Sequence, residues 1–529
     1  MSALAADSPA RPDEFLGHPK GLYVCFFTEM WERFSFYGMK ALLLLYLVKY
    51  HLFTDDNGYN LVGAYGGLVY ATPVIGGLIA DRWLGMRKAV VFGGLLLVLG
   101  HLGMAIEGHP ATSAGGVVTR DAHALQVFYF SLALIIMGVG FLKPNISTIV
   151  GKLYPENDPR RDSGFSIFYA GINIGGTISG ILCGWLGETY GWGWGFGAAG
   201  VGMLAGLANF IYGQKHLHGH AEPREPERLR ERVFGPLTRE HLIYLGSIAG
   251  IFVVWFLIQM HSVFLKLIPG VLEPSPVILG MHAVMLTLLG GILWFMFTRC
   301  TKVEREQMFV VLAFIVFCLI FFTLYEQTYG SWVLFSDRVM NHHALGAEWT
   351  ASELTSLGSF FILVLAPIFA WLYPRLDARN INPSKPAKSA YGLILAGLSF
   401  LVLVWSARHP DANGLTNIWW FVFAYFVLEV GEMLLSPIGL SAVTQLSVPS
   451  VVSLMMGAWF LGTSYSEVLA AALGKLSSIE VPEGEAINIA DALAKYDALF
   501  VYSAKIGIAC GIAVLVLTPL IKRWMHGVR

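Results

Sequence analysis

Charged residues are scarce in this sequence. Asp, Glu, Lys and Arg make up 13% of its 529 residues, whereas a soluble globular protein carries about a quarter. Hydrophobic residues make up 55%, and the mean hydropathy is +0.61. This composition excludes a soluble enzyme, a nucleic-acid-binding protein and a disordered regulator. The net charge of -1 gives no indication of a polyanionic partner.

Cysteines are few, and the motifs of familiar active sites are missing. The cysteines are widely separated and form no Cys-x-x-Cys pair: Cys25, Cys183, Cys300, Cys318 and Cys510. We therefore expect no disulfide, no metal cluster and no cofactor. The chain has neither Gly-x-Ser-x-Gly nor His-Glu-x-x-His, so we predict that it is not an enzyme. His216, His218 and His220 could bind a metal ion, but a solvated linker is the preferred interpretation.

Long apolar segments are what the sequence does contain. A membrane-spanning helix needs about 20 mostly apolar residues. The segments that meet this requirement are 20–48, 61–80, 88–106, 125–150, 163–188, 194–213, 241–261, 277–297, 308–329, 351–373, 389–407, 416–443, 451–474 and 499–521. The glycines of 163–188 predict a closely packed helix. We predict an all-α integral membrane protein with fourteen spans.

The positions of the basic residues orient these spans. The first twenty residues are polar and do not resemble a cleaved signal peptide. Most Lys and Arg residues outside the spans fall on the same side of the membrane as the amino terminus. The positive-inside rule places that side in the cytoplasm, so we expect both termini there.

Polar connections divide the chain. The longest polar stretch is 214–240, and a second basic connection is 298–307. We predict a six-helix bundle in 1–213, a cytoplasmic linker with two inserted helices in 214–305, and a second six-helix bundle in 306–529. Two six-helix halves are the plan of the major facilitator fold, which binds its substrate between them. The segment 81–88, DRWLGMRK, is similar to a loop of that superfamily.

The first span is unusually rich in charge. It contains Glu29, Glu32, Arg33 and Lys40, although a charged residue at mid-membrane costs about 2.5–3.5 kcal/mol on insertion scales. At about 100° per residue, Glu29, Arg33, Tyr37 and Lys40 share one helix face. A Glu29–Arg33 pair within the helix would leave Lys40 without a partner. We therefore interpret this stripe as functional.

Later spans add ionisable residues: Lys143, Glu326, Glu429, Glu432, Glu467 and Lys505. Of the two carboxylates three residues apart, we prefer Glu432 to Glu429 as a functional group. For Glu467 and Lys505, a structural pair and a functional role remain equally open. A carboxylate–lysine pair in a cavity can act as a proton switch. Opposite charges on the two halves suit a zwitterionic solute.

Five segments resemble one family. Glu29-x-x-Glu32-Arg33-Phe34 with Tyr37-Gly38 resembles the ExxERFxYYG motif of the proton-dependent oligopeptide transporter family. Similar segments follow in the family's order at 141–145, 165–175, 431–441 and 459–461. The inserted helix pair is also typical of bacterial members. The resemblance implies a proton-coupled symporter that imports di- and tripeptides by alternating access.

The resemblance also implies roles for particular residues. It assigns proton coupling to Glu29, Glu32, Arg33, Lys143 and Glu326, and it implies that the cluster of Glu29, Glu32 and Arg33 engages Lys143. It assigns the peptide site to Tyr37, Lys40, Tyr70, Lys143, Asn173, Glu432, Ser436 and Trp459. In this assignment Glu432 holds the peptide's amino group, Trp459 forms a pocket wall, and Glu326 can pair with Lys40.

The sequence departs from the family pattern at three places. Phe36 replaces one of the motif's two tyrosines, Lys40 replaces an arginine of many members, and 357–360 reads Leu-Gly-Ser-Phe where Leu-Asn-Pro-Phe is familiar. A lysine cannot form the bidentate fork of arginine. The alternative function is a proton-coupled carrier of another small solute, such as nitrate or a drug.

The implied setting is the bacterial inner membrane. The expected partners are peptides, protons and the lipid bilayer, with no nucleic acid and no obligatory protein partner.

Overall fold

The computed structural model describes residues 13–155, 158–223, 225–263, 275–479 and 487–528. Most of this part of the chain is helical. The α-helices are α1 Lys20–Leu45, α2 Asp55–Ile79, α3 Met86–Met104, α4 Ala122–Lys152, α5 Arg161–Tyr190, α6 Trp192–Gly213, α7 Pro226–Arg230, α8 Arg239–Gln259, α9 Pro276–Arg299, α10 Lys302–Tyr325, α11 Ser331–Val339, α12 Ala351–Leu354, α13 Ser356–Ala378, α14 Lys385–Arg408, α15 Ile418–Leu446, α16 Val452–Gly474 and α17 Ile489–Trp524.

Shorter elements join these helices. Two π-helical turns, Tyr46–Tyr50 and Ala80–Leu84, extend α1 and α2, and 3₁₀ turns are formed by Gln214–Leu217, Met260–Ser262, Glu326–Tyr329, Pro449–Val451 and Lys475–Ser477. The antiparallel strand pairs are β1 Glu14–Phe15 with β2 His18–Pro19, β3 Thr112–Ala114 with β4 Val117–Thr119, β5 Arg232–Phe234 with β6 Leu237–Thr238, and β8 His343–Ala344 with β9 Ala347–Glu348. β7 Met340–Asn341 pairs in parallel with β10 Thr416–Asn417.

Local sequence signals explain where helices begin. The Thr54 hydroxyl accepts a hydrogen bond from the backbone N–H of Asn57 at the start of α2. Thr301 and Glu304 form a reciprocal capping box at the start of α10. Such side chains satisfy backbone donors that have no partner within the helix.

Twelve helices within the described residues are long and apolar enough to cross a membrane. They correspond to twelve of the predicted spans. The other two, 20–48 and 451–474, are also helical as α1 and α16 but are more polar, because α1 carries five charged residues and α16 contains the segment Thr-Ser-Tyr-Ser-Glu. The count of fourteen spans therefore stays a prediction.

The buried apolar side chains form two large cores. One is built from α1–α6 and receives Ile251, Val254 and Ile258 of α8. The other is built from α10–α17 and receives Ile292 and Met296 of α9, together with Leu44 and Leu45 of α1 and Tyr59 of α2. The two inserted helices thus pack against different cores. The division at 213 and 305 stays a proposal.

Polar contacts support the positions of the inserted helices. The Lys88 ammonium lies 2.5 Å from the Glu240 carboxylate near the start of α8. The Gln126 amide donates to Gln259 at 3.0 Å, near the other end of α8. On α9, His282 lies 2.7 Å from the Tyr465 hydroxyl of α16.

The glycine-rich helix α5 packs as closely as the sequence predicts. A Cβ atom at Gly175 would overlap the carbonyl oxygen of Met30 in α1. At Gly180 and Gly184 it would meet backbone atoms of Ser356 and Glu353 at 2.9 and 2.7 Å. The predicted close packing of 163–188 is confirmed. Glycine lets α5 approach α1 on one side and α12 and α13 on another.

We predict that Gly175→Ala destabilises the protein by about 1–3 kcal/mol, the typical cost of forcing extra atoms into a packed core. The added methyl group would displace the backbone of α1 at Met30 and Phe34. The melting temperature in detergent should fall. The matched control is Gly246→Ala in α8, where an added Cβ has no neighbour within 4 Å. Equal melting temperatures for the two variants would contradict the prediction.

Candidate functional site

The polar stripe of α1 begins with a buried triad. The Arg33 guanidinium forms a bidentate pair with the Glu32 carboxylate, and Nη2 lies 2.5 Å from Oε1. Arg33 Nε also lies 3.4 Å from Glu29 Oε1, one helical turn away. The relative exposures of Glu29, Glu32 and Arg33 are at most 3%. Two carboxylates therefore share one guanidinium in a buried environment, which leaves the triad one cation short of neutrality.

Lys143 on α4 lies near this triad without joining it. It forms no ion pair within 4 Å among the described residues, although it interacts electrostatically with both carboxylates. Its Nζ lies 4.4 Å from the ring centroid of Tyr70 instead. The expected engagement of Lys143 by Glu29 or Glu32 is thus not a direct contact in this conformation. Its charge is left facing the space between the helices.

A second buried cluster lies further along α1. Lys40 Nζ donates to Glu326 Oε2 at 2.6 Å and to Glu467 Oε1 at 2.7 Å. Glu326 follows α10, and Glu467 lies on α16, so Lys40 joins the amino-terminal helices to two elements of the carboxy-terminal core. The Lys40–Glu326 contact is the one that the family resemblance anticipates. Glu467 is an additional partner.

The Glu467–Lys505 pair considered from the sequence is wrong. Glu467 is 3% exposed and bound to Lys40, whereas Lys505 is exposed on α17. Lys505 lines a shallow apolar depression formed by α14 and α17. Hydrophobic periodicity could not distinguish the buried Glu467 from the exposed Lys505, because both residues occupy apolar helices.

The first half, α1–α6, and the second half, α10–α17, also meet at one end of the bundle. This end carries the α1–α2 connection, and we call it the closed end. Arg338 of α11 forms a bidentate pair with Asp55 of α2, with both N–O distances at 2.7 Å. The backbone N–H of Ile479 donates to the same carboxylate at 2.9 Å. Glu188 of α5 accepts from the backbone N–H of Ser352 at 2.8 Å. These contacts cross between the two cores, and the sequence analysis did not predict them.

The predicted aromatic residues of the first half lie beside both charged clusters. Tyr37 stacks on Tyr329, with ring centroids 6.2 Å apart and planes inclined by 13°. The Arg33 guanidinium lies 4.8 Å from the ring centroid of Phe36, which replaces the family's tyrosine. Lys40 Nζ lies 4.9 Å from the centroid of Tyr329. Aromatic rings thus surround both cations and attract them through their π faces.

Asn173 and Trp459 have more local contacts. The Asn173 amide donates to the carbonyl of Tyr169 one turn earlier at 3.1 Å. The Trp459 ring packs directly on Gly439, where a Cβ atom would overlap the ring. Both residues lie on helices that contribute to the space between the halves, and their roles stay predictions.

The second half presents carboxylates that pair with no cation among the described residues. Glu432 is partly buried, and its Oε2 atom has no hydrogen-bond partner in this part of the chain. The hydroxyl of Ser436 lies beside the Glu432 carboxylate. Glu429 is fully buried beside Glu432 and Tyr325, and one of its oxygens lies 2.9 Å from where a Cβ of Gly358 would stand. The absent asparagine side chain at 358 therefore leaves space that Glu429 occupies.

The histidines considered for metal binding contact an acidic residue. His216 Nδ1 lies 2.8 Å from Asp13 Oδ1, and His218 bonds the other oxygen of Asp13. Slight burial acts to raise the pKa of Asp13, but the hydrogen bonds from His218 and His216 outweigh it and lower the pKa below its usual value. These contacts tie the segment before α1 to the linker that follows α6.

Comparison with known proteins identifies the family to which this chain belongs. The POT family model matches residues 87–483. A curated relative from Bacillus subtilis, "Uncharacterized transporter YclF", is 34% identical over 97% of this chain and 96% of its own length. The "Di-/tripeptide transporter" of Lactococcus lactis is 31% identical over 97% of this chain and 98% of its own.

A solved structure has the same architecture over nearly the whole chain. It is described as a mutant of the peptide transporter POT in complex with alafosfalin. It is 31% identical and covers 97% of both chains with a TM-score of 0.77. The major facilitator fold predicted from the sequence is confirmed by this match, and the chain is a multi-pass membrane protein. The chain belongs to the POT family of peptide transporters.

Proposed function

We propose that this protein is a proton-coupled symporter that imports di- and tripeptides by alternating access across the bacterial cytoplasmic membrane. Both termini lie in the cytoplasm, so the closed end faces outside. The observation that carries the proposal is the separation of charge. Among the described residues, the first half holds a cation without a carboxylate contact, and the second half holds carboxylates without a cation.

A zwitterionic peptide complements this arrangement. Lys143 has no ion pair among the described residues and offers a cation to the peptide's carboxylate. Glu432 has an unpartnered oxygen and offers an anion to the peptide's amino group. A bound peptide would therefore satisfy both charges and draw the two halves together. An anion such as nitrate would satisfy Lys143 but be repelled by Glu432.

The Glu29–Glu32–Arg33 triad supports the coupling to protons. Two buried carboxylates beside one guanidinium cannot both be compensated, so binding of a proton to one of them stabilises the triad. Lys143 is close enough to interact electrostatically with both carboxylates. Protonation of the triad therefore changes the field at Lys143, and with it the affinity for the peptide's carboxylate.

Uptake into proteoliposomes tests the proposal as a whole. Labelled dialanine should accumulate when an inward proton gradient is imposed and should equilibrate without one. Unlabelled tripeptides should compete, and nitrate should not. Competition by nitrate together with no dialanine uptake would favour the carrier of another solute.

We predict that Glu432→Gln weakens the binding of dialanine by one to two decades and leaves the binding of N-acetyl-dialanine nearly unchanged. This variant removes a charge-assisted hydrogen bond to the amino group, worth about 1.5–3 kcal/mol. Dissociation constants measured for both ligands in detergent provide the check. The acetylated peptide is the internal control for folding. An equal loss of affinity for both ligands would show that Glu432 does not hold the amino group.

We predict that Glu29→Gln and Glu32→Gln abolish gradient-driven accumulation but preserve peptide exchange without a gradient. Glutamine keeps the shape and hydrogen bonds of a protonated carboxyl group but cannot release a proton. Accumulation and counterflow are measured in the same proteoliposomes. The control is Glu306→Gln, since Glu306 pairs with His526 away from the triad. Normal accumulation by both triad variants would refute the coupling assignment.

A further inference from the structure

The cluster at Lys40 contains more negative than positive charge. One ammonium group contacts two carboxylates at 2.6 and 2.7 Å. The relative exposures of Lys40, Glu326 and Glu467 are 3%, 9% and 3%. The cavity beside them measures about 10 Å³, which is room for about one water molecule. Solvent therefore does little to compensate the second carboxylate.

No second cation among the described residues contacts this cluster directly; Lys143 lies beside the same Tyr70 ring as Lys40 and interacts with Lys40 over a longer distance. Tyr59, Tyr65 and Tyr70 approach it from α2, and Tyr329 approaches from the 3₁₀ turn that carries Glu326. Each is a neutral phenol at physiological pH. The Tyr65 hydroxyl is buried and has no hydrogen-bond partner within the described part of the chain. The neighbours are thus polar but uncharged.

The backbone of α2 seals the remaining side of Glu467. A Cβ atom at Gly66 would lie 2.6 Å from Cδ of Glu467, and the Ser464 hydroxyl donates to the carbonyl of Gly67 at 2.5 Å. Apart from the small cavity described above, this contact leaves little room for water between α2 and α16 beside Glu467. The excess negative charge is therefore desolvated as long as the halves remain in contact.

Two carboxylates confined with one cation share a proton. An ionised carboxylate that is buried without compensation is strongly disfavoured, and adjacent carboxyl groups avoid this by binding a proton on one oxygen. Lys40 then neutralises the other carboxylate. The closed arrangement accordingly consists of one lysine, one carboxylate and one carboxylic acid.

When the closed end opens, a bound proton is no longer needed to neutralise a buried carboxylate. Lys40 and Gly66 belong to the first half, whereas Glu326 and Glu467 belong to the second. Their separation would expose both carboxyl groups to water, where a glutamate ionises with a pKa of about 4.3. The open state therefore holds one proton fewer than the closed state at neutral pH.

We propose that Glu467 is a further proton-binding residue of this transporter, and that the outer gate closes with uptake of one proton shared by Glu467 and Glu326. The inference rests on the alternating access and orientation proposed above. One O–H bond forms on either carboxyl group from a proton of the external solution, and the same proton leaves when the gate reopens outward. Raising the external pH should therefore favour the open gate.

The test measures access to the cavity as a function of pH. Ala470 lines the same cavity and is buried, so Ala470→Cys in a background without the native cysteines reports opening of the gate. A membrane-impermeant maleimide is added from outside, without peptide and without a gradient. At each pH, the labelling rate is divided by the rate for the protein that also carries Glu467→Gln. This ratio removes the effect of pH on ionisation of the introduced thiol. The ratio should rise by up to tenfold per pH unit, the limit for one linked proton.

Variants separate proton sharing from simple pairing. In Glu467→Gln and in Glu326→Gln, Lys40 keeps one carboxylate partner, so both should stay closed and show matching pH profiles. The double variant Glu326→Gln with Glu467→Gln leaves Lys40 without a carboxylate partner. The introduced cysteine should therefore be labelled faster in it than in either single variant. Asp497→Asn, which breaks an exposed pair with Arg408 in the second half, should behave like the parent. Rapid labelling of Glu467→Gln at every pH, or a ratio to it that stays flat, would overturn the inference.

The outcome is independent of the substrate assignment. If peptide uptake fails but the pH dependence and its loss in Glu467→Gln are observed, the gate proposal stands and the substrate is wrong. If uptake succeeds and Glu467→Gln retains the parental pH dependence, the substrate stands and Glu467 is a structural partner of Lys40.

Discussion

The contact of Lys40 with two carboxylates is the interaction on which this conformation depends. It connects α1 with the elements that carry Glu326 and Glu467, and it does so where little water is present. Breaking a buried ion pair typically costs about 3–5 kcal/mol, which is comparable with the free-energy differences between conformations of a protein. The protonation state of three side chains can therefore bias which conformation a chain of 529 residues adopts.

The choice of lysine at this position is consistent with its two partners. Arginine presents a rigid planar fork that suits one carboxylate, whereas an ammonium group has three donors and no preferred plane. Lys40 uses two of these donors for carboxylates on different elements. The departure from arginine noted in the sequence thus goes together with a second carboxylate, on α16, which lies outside the family motif.

The sequence predicted the helices and the α1 stripe because both follow from local periodicity. Helix type and approximate position depend on apolar runs, and the shared face of Glu29, Arg33 and Lys40 depends on helical geometry alone. The partner of Glu467 and the Asp55–Arg338 pair depend on how helices distant in sequence pack together. Local periodicity in one sequence does not reveal that packing. Lys143 was expected to contact the triad, but its ammonium group lies over the ring of Tyr70 instead.

The glycines at the junction of the halves have a mechanical consequence. At Gly66, Gly180 and Gly184 one half presents bare backbone to the other, so no side chain of the glycine-bearing helix interlocks at these three positions. Surfaces that meet in this way can part without a change of rotamer, and the dispersion attraction between them vanishes over a short displacement. Where the halves meet in this way, resistance to separation comes mainly from the neighbouring polar contacts. Such a junction is stiff while its polar contacts are intact and separates readily once one of them is broken.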